Sequence, residues 1–180
     1  MKIGIISDTH SKVGRAKKII DIFLEQKCEY IIHAGDIVKE EVLAYIEESG
    51  LEYVAVLGNN DRHLLEVQEN YNLVKEPYCF RLGEHKLKLM HLPYYLAKED
   101  FDIIIYGHTH APVCEYENGT LFLNSGESCA RDTGFSQACI LELGENEWSV
   151  YQYARKVSTL DWEIKTKTFT KPNIIKGNNE

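Results

Sequence analysis

The chain has 180 residues, against a soft ~150 per domain, so one domain is expected, with roughly 70% of the unfolded surface buried in a full core. Acidic residues outnumber basic ones 28 to 20, the formal charge is −8 and the isoelectric point is about 5.4, which argues against general binding to nucleic acid or to an anionic membrane. A hydrophobic fraction of 44% with 27% charged residues is ordinary for a globular protein and wrong for a disordered one.

The first half alternates strands and helices. Lys2 to Ser7 is a short apolar run ending in Asp8-Thr9-His10, read as a buried strand and the loop after it. Val13, Ala16, Ile19, Ile20, Phe23 and Leu24 recur at helical spacing, which predicts an amphipathic helix over 12–26. Tyr30 to His33 is a second strand closed by Ala34-Gly35-Asp36, and Glu40 to Ser49 a helix with acidic residues early and Gly50 past its end. Tyr53 to Leu57 is a third strand running into Gly58-Asn59-Asn60-Asp61. This βαβαβ rhythm implies a parallel sheet.

The second half reads as hairpins. Tyr78 to Leu82 and Lys86 to His91 flank a turn at Gly83-Glu84-His85, which places His85 in solvent. Asp102 to Tyr106 is an aliphatic strand ending at Gly107-His108-Thr109-His110. Val113 to Glu117 and Thr120 to Asn124 flank Asn118-Gly119, a strong hairpin signal, and Gln137 to Leu143 and Trp148 to Tyr153 flank Gly144 to Glu147. From about Ser158 the chain is Lys/Thr-rich and alternates around Trp162 and Ile164, as an added edge strand would, before a frayed end at 176–180. Residues 1–157 are thus the expected domain, and 158–180 an extension of it.

The N-terminus reaches a charge too early for a signal peptide, and no stretch approaches the ~18 apolar residues of a membrane helix. Five cysteines, an odd number without a C-x-x-C pair, suit a reduced cytoplasm. A cytoplasmic protein is expected.

The polar residues sit where strands end. Asp8 and His10, Asp36, Asn59 and Asp61, His91, and His108 and His110 each follow an apolar strand at once. In an open α/β sheet ligands bind beyond the carboxyl ends of strands, so five separate segments would converge on one crevice. Without Asp61, the two carboxylates Asp8 and Asp36, the Asn59 amide and four imidazoles are too many for one tetrahedral zinc, and suit two ions at ~3.5–4 Å sharing a carboxylate. Singly, each fragment has a plain structural reading: Asp36 caps a helix, and Asn59-Asn60-Asp61 makes a turn. Together, in this order and each at a strand end, they point to a metal centre.

On these residues the chain resembles the calcineurin-like metallophosphoesterases, in their small single-domain bacterial and archaeal phosphodiesterase branch, over about residues 2–155. The resemblance implies an α/β fold in which two mixed β-sheets pack as a sandwich flanked by helices, four layers in the order αββα, here with a C-terminal β-rich extension. It implies two divalent ions, manganese first, with nickel, iron, cobalt or zinc also suited to a donor set without cysteine. Asp8, His10, Asp36 and His110 would hold one ion, and Asp36, Asn59, His91 and His108 the other. A hydroxide bridging the two would attack phosphorus in line.

The same resemblance points to Asp36, Asn59 and Asp61 as catalytic candidates, to which His63 is added from its place three residues after Asn60, and to Asn60 and Asn124 as substrate contacts; Arg131, like Arg62, is read from its residue type either as a phosphate contact or as one half of a surface ion pair. Asn124-Ser125-Gly126 is similar to the family's Asn-Pro-Gly turn, with Ser125 in place of proline. Two other departures stand out. Many members read Gly-Asn-His-Asp where this chain has Asn60, whose amide cannot protonate a leaving group; general acid catalysis is worth ~10²–10⁴ in rate, so acidic, aryl-like leaving groups are expected. His63 is read either as a substitute acid or as a surface histidine. The branch's His-Gly-His is here His91-Leu92-Pro93, so the loop through Tyr94 and Tyr95 would reshape the cleft. His33 is read either as a partner to the Asp36 loop or as packing in the sheet. Gly126-Glu127-Ser128-Cys129-Ala130 falls one glycine short of a serine-hydrolase elbow.

A small phosphodiester substrate is expected, with no membrane partner; a homo-oligomer is compatible with the chain. The alternatives are a protein-binding scaffold of the same fold, and a phosphomonoesterase or nucleotidase.

Overall fold

The computed structural model describes residues 1–94, 96, 97 and 100–170. Tyr95 and the expected frayed end at 176–180 lie outside the described residues. The chain runs through β1 (Lys2–Ile6), α1 (Val13–Glu25), β2 (Tyr30–His33), α2 (Glu40–Glu48), β3 (Glu52–Val56) and a short β4 (Leu73–Val74). It continues through β5 (Tyr78–Leu82), β6 (His85–Leu89), β7 (Ile103–Ile105), β8 (Val113–Glu117) and β9 (Thr120–Asn124). Three long strands, β10 (Phe135–Leu143), β11 (Glu147–Lys156) and β12 (Glu163–Thr170), follow.

Two mixed sheets result. The first has the order β12-β11-β10-β1-β2-β3-β4, with β1 to β4 parallel and β10, β11 and β12 antiparallel to their neighbours. The second has the order β5-β6-β7-β9-β8, parallel through β6, β7 and β9. Strand alternation sorts the side chains between layers. Ile3 and Ile5 of β1, with Ile32, Val54 and Val56, face Leu87, Leu89, Ile103, Ile105, Leu121 and Leu123 of the second sheet. Ile6, on the other face of β1, joins Ile31 and Ala55 beneath Ala16, Ile19, Ile20 and Phe23 of α1 and Val42, Leu43 and Ile46 of α2. Gly4 lets α1 sit down on β1, because a Cβ there would collide with the Phe23 ring. The outer face of the second sheet carries Met90, Ile104 and Tyr106, covered by Leu96 and Phe101 of the segment between β6 and β7 rather than by a helix, among the described residues.

The expected α/β sandwich of two mixed sheets is present, with β2, β5, β8 and β9 at their expected bounds and the other elements displaced by one to three residues at one end or both. The segment from Ser158 supplies β12, an edge strand on β11, as its alternation implied. Two 3₁₀ turns, Arg62–Glu66 and Gln68–Asn70, and β4 were not signalled by periodicity, being too short to show it. The expected solvent position of His85 is corrected. Its hairpin turns on Gly83-Glu84 alone, so Leu82 pairs with His85 and alternation directs that ring inward. His85 is 8% exposed, edge to face with Trp148 at 5.3 Å between ring centroids.

Candidate metal centre

The loops after β1, β2 and β3 of one sheet meet those after β6, β7 and β9 of the other along one edge of the sandwich. Backbone bonds lace them together: Asp8 donates to the Gly35 carbonyl at 3.0 Å, His10 to that of Asp36 at 2.9 Å, and Gly107 to that of His91 at 3.2 Å. Tight convergence strains the chain. Asp8, His10, Asp36, His108 and His110 all adopt positive φ, between 44° and 67°, a conformation costly for residues with a Cβ and one that clusters at functional sites. Gly58 is required for the approach of the third loop, since a Cβ would overlap the Asp36 backbone nitrogen and carboxylate.

Six of the seven expected ligands are drawn into two contiguous groups. Asp8, His10 and His110 form one group of facing donors, and Asp8, Asp36 and His91 another. Asp36 Oδ2 lies 3.8 Å from His10 Nε2 and 3.4 Å from His91 Nε2, between the two. Asn59 Oδ1 is 3.0 Å from His91 Nε2. The seventh, His108, is exposed; its ring stands edge to face with His91 at 5.1 Å, and its backbone N–H donates to Asp8 Oδ2 at 3.1 Å.

The lone pairs show that this donor set fits divalent cations. His91 Nδ1 is 2.9 Å from the Ala34 carbonyl, so in the neutral ring it carries the proton and Nε2 presents a lone pair. That lone pair faces two oxygens, Asn59 Oδ1 and Asp36 Oδ2, at 3.0 and 3.4 Å. Three such atoms repel unless a cation lies among them. In the other group His10 Nε2 and His110 Nε2 are 3.4 Å apart, and the buried Asp8 Oδ1, 3.2 Å from His110 Nε2, receives no aligned hydrogen bond. An all-nitrogen and oxygen set of this kind suits manganese, iron, cobalt, nickel or zinc.

Electrostatics follow from the crowding. Burial alone would raise the Asp36 pKa, but the hydrogen bond and charge of the His91 ring in its protonated form, which Asp36 in turn favours, and the Asn60 backbone and side-chain N–H groups outweigh it and hold the carboxyl far below its usual range. Burial pushes the His10 imidazole down despite the charge of Asp36. His110 is pushed up, first by Asp8, then by the charges of Glu127 and Asp132 against the effect of burial.

A surrounding set of residues holds the ligands. His33 Nδ1 accepts the Gly35 N–H at 3.2 Å, and Nε2 meets Thr9 Oγ1 at 3.1 Å. Buried completely and pushed down to about 3 by that burial, it is a neutral brace between the Asp8–His10 and Asp36 loops. Ser7 Oγ donates to Asp8 Oδ2 at 2.5 Å, and Glu76 Oε2 accepts the Leu92 N–H at 2.8 Å and that of His91.

Asp61, an expected catalytic residue, is fully buried, and its oxygens accept the backbone N–H groups of Ile37, Val38 and Gly58 at 3.1, 2.7 and 2.8 Å. It braces two loops and does not face the cleft. Asn124 likewise spends both amide atoms on the turn around it, donating to the Gly107 carbonyl and Thr109 Oγ1 at 2.9 and 3.0 Å and accepting from Gly126 at 2.8 Å. Asn60 is exposed and bound to Asp36, backbone N–H to Oδ1 at 2.9 Å and Nδ2 to Oδ2 at 2.7 Å. His63 and Arg131 line a cleft of about 810 Å³ that opens beside His10 and Asn60.

Two acids were missed as functional candidates. Glu127 is fully buried and accepts the N–H groups of Arg131 and Asp132, each at 2.7 Å, and that of Thr133, together with the Cys129 thiol and the Thr133 hydroxyl. Burial opposes its ionisation, but these bonds bring its pKa down to about 2. Its Oε2 is 3.2 Å from His110 Nδ1, and Asp132 Oδ2 is 2.7 Å from the same atom. Neither is aligned as a hydrogen bond; both are close charge contacts on the side of the ring away from Asp8. The signal was one carboxylate inside the failed nucleophile motif and one just past it, which becomes informative only beside His110.

Residues 1–146 match the calcineurin-like phosphoesterase superfamily domain. A phosphodiesterase of Methanocaldococcus jannaschii is 31% identical over 160 residues, 82% of this chain and 96% of its own length. The phosphodiesterase YfcE of Escherichia coli is 22% identical over 147 residues, covering 70% of this chain and 78% of its own. A solved archaeal phosphodiesterase superposes with a TM-score of 0.73 at 27% identity, over 93% of this chain and all of that one. Vacuolar protein sorting 29 from Cryptosporidium parvum superposes at 0.78, over 94% of this chain and 98% of its own; at 20% identity that likeness shows the fold alone. The chain therefore belongs to the calcineurin-like phosphoesterase superfamily, on its small phosphodiesterase branch, and is a metal-dependent phosphoester hydrolase.

Proposed function

We propose that the protein is a two-metal phosphodiesterase acting on a small phosphodiester with an acidic, aryl-like leaving group. The observation that carries this reading is the cluster of unshared lone pairs on Asp8, His10, Asp36, Asn59, His91 and His110. Asp8, His10, Asp36 and His110 would hold one ion and Asp36, Asn59, His91 and His108 the second, manganese first among those the donors suit. Such ions supply Lewis-acid neutralisation of the phosphoryl oxygens and acidify a water from a pKa of 15.7 to about 7.

The protein's own residues position rather than react. Asn60 presents an amide, which orients but cannot give up a proton at neutral pH. The His63 ring nitrogen Nε2 lies 2.7 Å from the Val38 carbonyl, to which it must donate, so that proton is engaged away from a leaving group. Without a protein acid, an ester must leave as its own anion, which favours leaving groups of low pKa. The five cysteines are free, and among the described residues no helix is long and apolar enough to cross a membrane; a reduced, cytoplasmic setting is part of the proposal.

The test is hydrolysis of bis-p-nitrophenyl phosphate after chelator treatment and again after manganese or nickel is restored. Loss and recovery support the reading. Activity only on p-nitrophenyl phosphate would favour a phosphomonoesterase, and inactivity with every divalent metal a binding scaffold of this fold.

A further inference from the structure

We propose that the cleft beside the metal centre is a phosphate-binding subsite, so that the substrate is a small phosphodiester carrying a second phosphate on the arm that enters this cleft. The inference rests on the phosphodiesterase reading for what happens at the metal centre; the subsite itself rests on other residues.

Its charge sets it apart. The protein carries a formal charge of −8, yet the 810 Å³ cleft is lined by Lys12, Arg15, Arg131 and His63, with His10 and Asn60 at its inner end. No carboxylate is among the described lining residues. In a chain with 28 acidic residues and 20 basic ones, a surface that gathers three permanent cations is selective for an anion. Val38, Ala130 and Cys129 are its few apolar contributions, a poor lining for an aromatic or lipid arm.

The cations are held rather than scattered. Lys12 and Arg15 stand at the start of α1, and Arg15 donates a guanidinium hydrogen to the Cys129 carbonyl, fastening α1 to the loop that bears Arg131. Arg131 Nε is 3.2 Å from Asp132 Oδ1. This contact orients the guanidinium and occupies one edge of it. Its other donors remain available as a fork, the geometry that matches phosphate oxygens. The first turn of α1 contains no acidic residue and no side-chain cap, and Gly14 there is exposed with open space around it. The partial positive charge of a helix N-terminus therefore adds to the same field.

Position gives the subsite its role. Asp132, which orients Arg131, also touches His110 Nδ1 at 2.7 Å, so the anion subsite and the ligand set share a partner. A scissile phosphate at Asp8, Asp36 and His10 would place one of its two ester arms over Asn60 into the cleft. A phosphate on that arm would fix the arm's direction, which a diester with neutral arms cannot do. The overall negative charge opposes a long polyanion, so a small molecule is favoured over a nucleic-acid strand.

The test uses the full chain, stripped with chelator and dialysed, titrated with inorganic pyrophosphate by calorimetry and by ¹⁵N amide shifts. Saturable binding is expected, with shifts at residues 12–15 and 129–131. Removing two charge-assisted contacts with the double variant Lys12→Gln, Arg131→Gln should weaken it at least about tenfold. Lys18→Gln, on the exposed side of α1, should leave the affinity unchanged. Absence of saturable binding, an affinity equal in wild type and double variant, or tighter binding of a single-stranded oligonucleotide than of pyrophosphate would overturn the proposal. Binding as expected without diester hydrolysis under any metal would remove the phosphodiesterase reading and leave the subsite standing. Hydrolysis without binding would do the reverse.

Discussion

His110 Nδ1 lies 2.7 Å from Asp132 Oδ2, while Nε2 of the same ring lies 3.2 Å from Asp8 Oδ1. One imidazole thus spans a buried ligand carboxylate and one on the surface. A carboxylate behind a ligating imidazole raises its basicity and fixes its ring; losing one typically costs ~10–100-fold in metal affinity. Asp132→Asn should weaken manganese binding by that order, read as a shifted metal-titration curve for hydrolysis. Because the Asp132 side chain is 56% exposed, the melting temperature of the metal-free protein should barely move. An unchanged titration curve would remove Asp132 from the site.

Metal removal provides the most direct prediction. The buried oxygens and ring nitrogens of Asp8, Asp36, His10, His91 and His110 face one another, so chelation should abolish hydrolysis of bis-p-nitrophenyl phosphate and also lower thermal stability. Bound ions stabilise only the folded state. Restoring manganese should recover both. Activity that survives thorough chelation would contradict the two-metal reading.

Asn60 governs the leaving group. Across diesters of falling leaving-group pKa the wild-type rate should climb steeply, because no side chain protonates the departing oxygen. Asn60→His should flatten that slope and raise alkyl ester rates, by up to ~10² of the ~10²–10⁴ available to general acids. The gain is limited because Asn60 Nδ2 also donates to Asp36 Oδ2 at 2.7 Å. A wild-type slope already near zero would mean that another acid acts.

Gly58 tests the packing of loops. A methyl group there would strike the Asp36 nitrogen and carboxylate, moving the carboxylate that lies between His10 and His91. A misplacement of about 1 Å can cost on the order of 10² in rate, and Gly58→Ala should show at least that. Gly50→Ala is the control: its helix-end position is open to a Cβ although its φ of 72° is strained, so it should affect melting and spare hydrolysis.

Glu127 tests the brace behind His110. Glu127→Gln removes the charge that collects three backbone N–H groups, the Cys129 thiol and the Thr133 hydroxyl in a buried pocket. Hydrogen bonds to a charged group contribute about 1.5–3 kcal/mol each, and thermal denaturation should report a loss of at least one such contribution. For a chain of this length that is a fall of roughly 2–4 °C per kcal/mol. An unaltered melting temperature would show that the neutral amide satisfies the pocket equally well.

The residues that announced the site did so because each is a polar interruption immediately after an apolar strand. Asp8, Asp36 and Asn59 follow β1, β2 and β3, and His91 and the His108–His110 pair follow β6 and β7. That is a local pattern, readable along the chain. The braces could not be read in this way. His33, Asp61 and Asn124 look like other strand-end polar residues, and what separates them from the ligands is that their polar atoms are consumed by Gly35, by Ile37 and Gly58, and by Gly107. His85 was misplaced because turn length is set by the pairing register of Leu82 with His85, which depends on both strands at once.

The amino-acid sequence by itself determined the class of this protein: strands and helices in alternation, a hairpin-rich second half, and oxygen and nitrogen donors at the carboxyl ends of strands. Those features rest on periodicity and residue chemistry, which act over a few neighbours. The tertiary structure alone decided which donors face one another, that Asp132 and Glu127 stand behind His110, and that Lys12, Arg15 and Arg131 share one cleft. Such pairings join residues up to a hundred positions or more apart, as His10 meets His110 at 3.4 Å and Arg15 meets Cys129. They exist only once two sheets have closed over their common apolar core and carried the loops to the same edge.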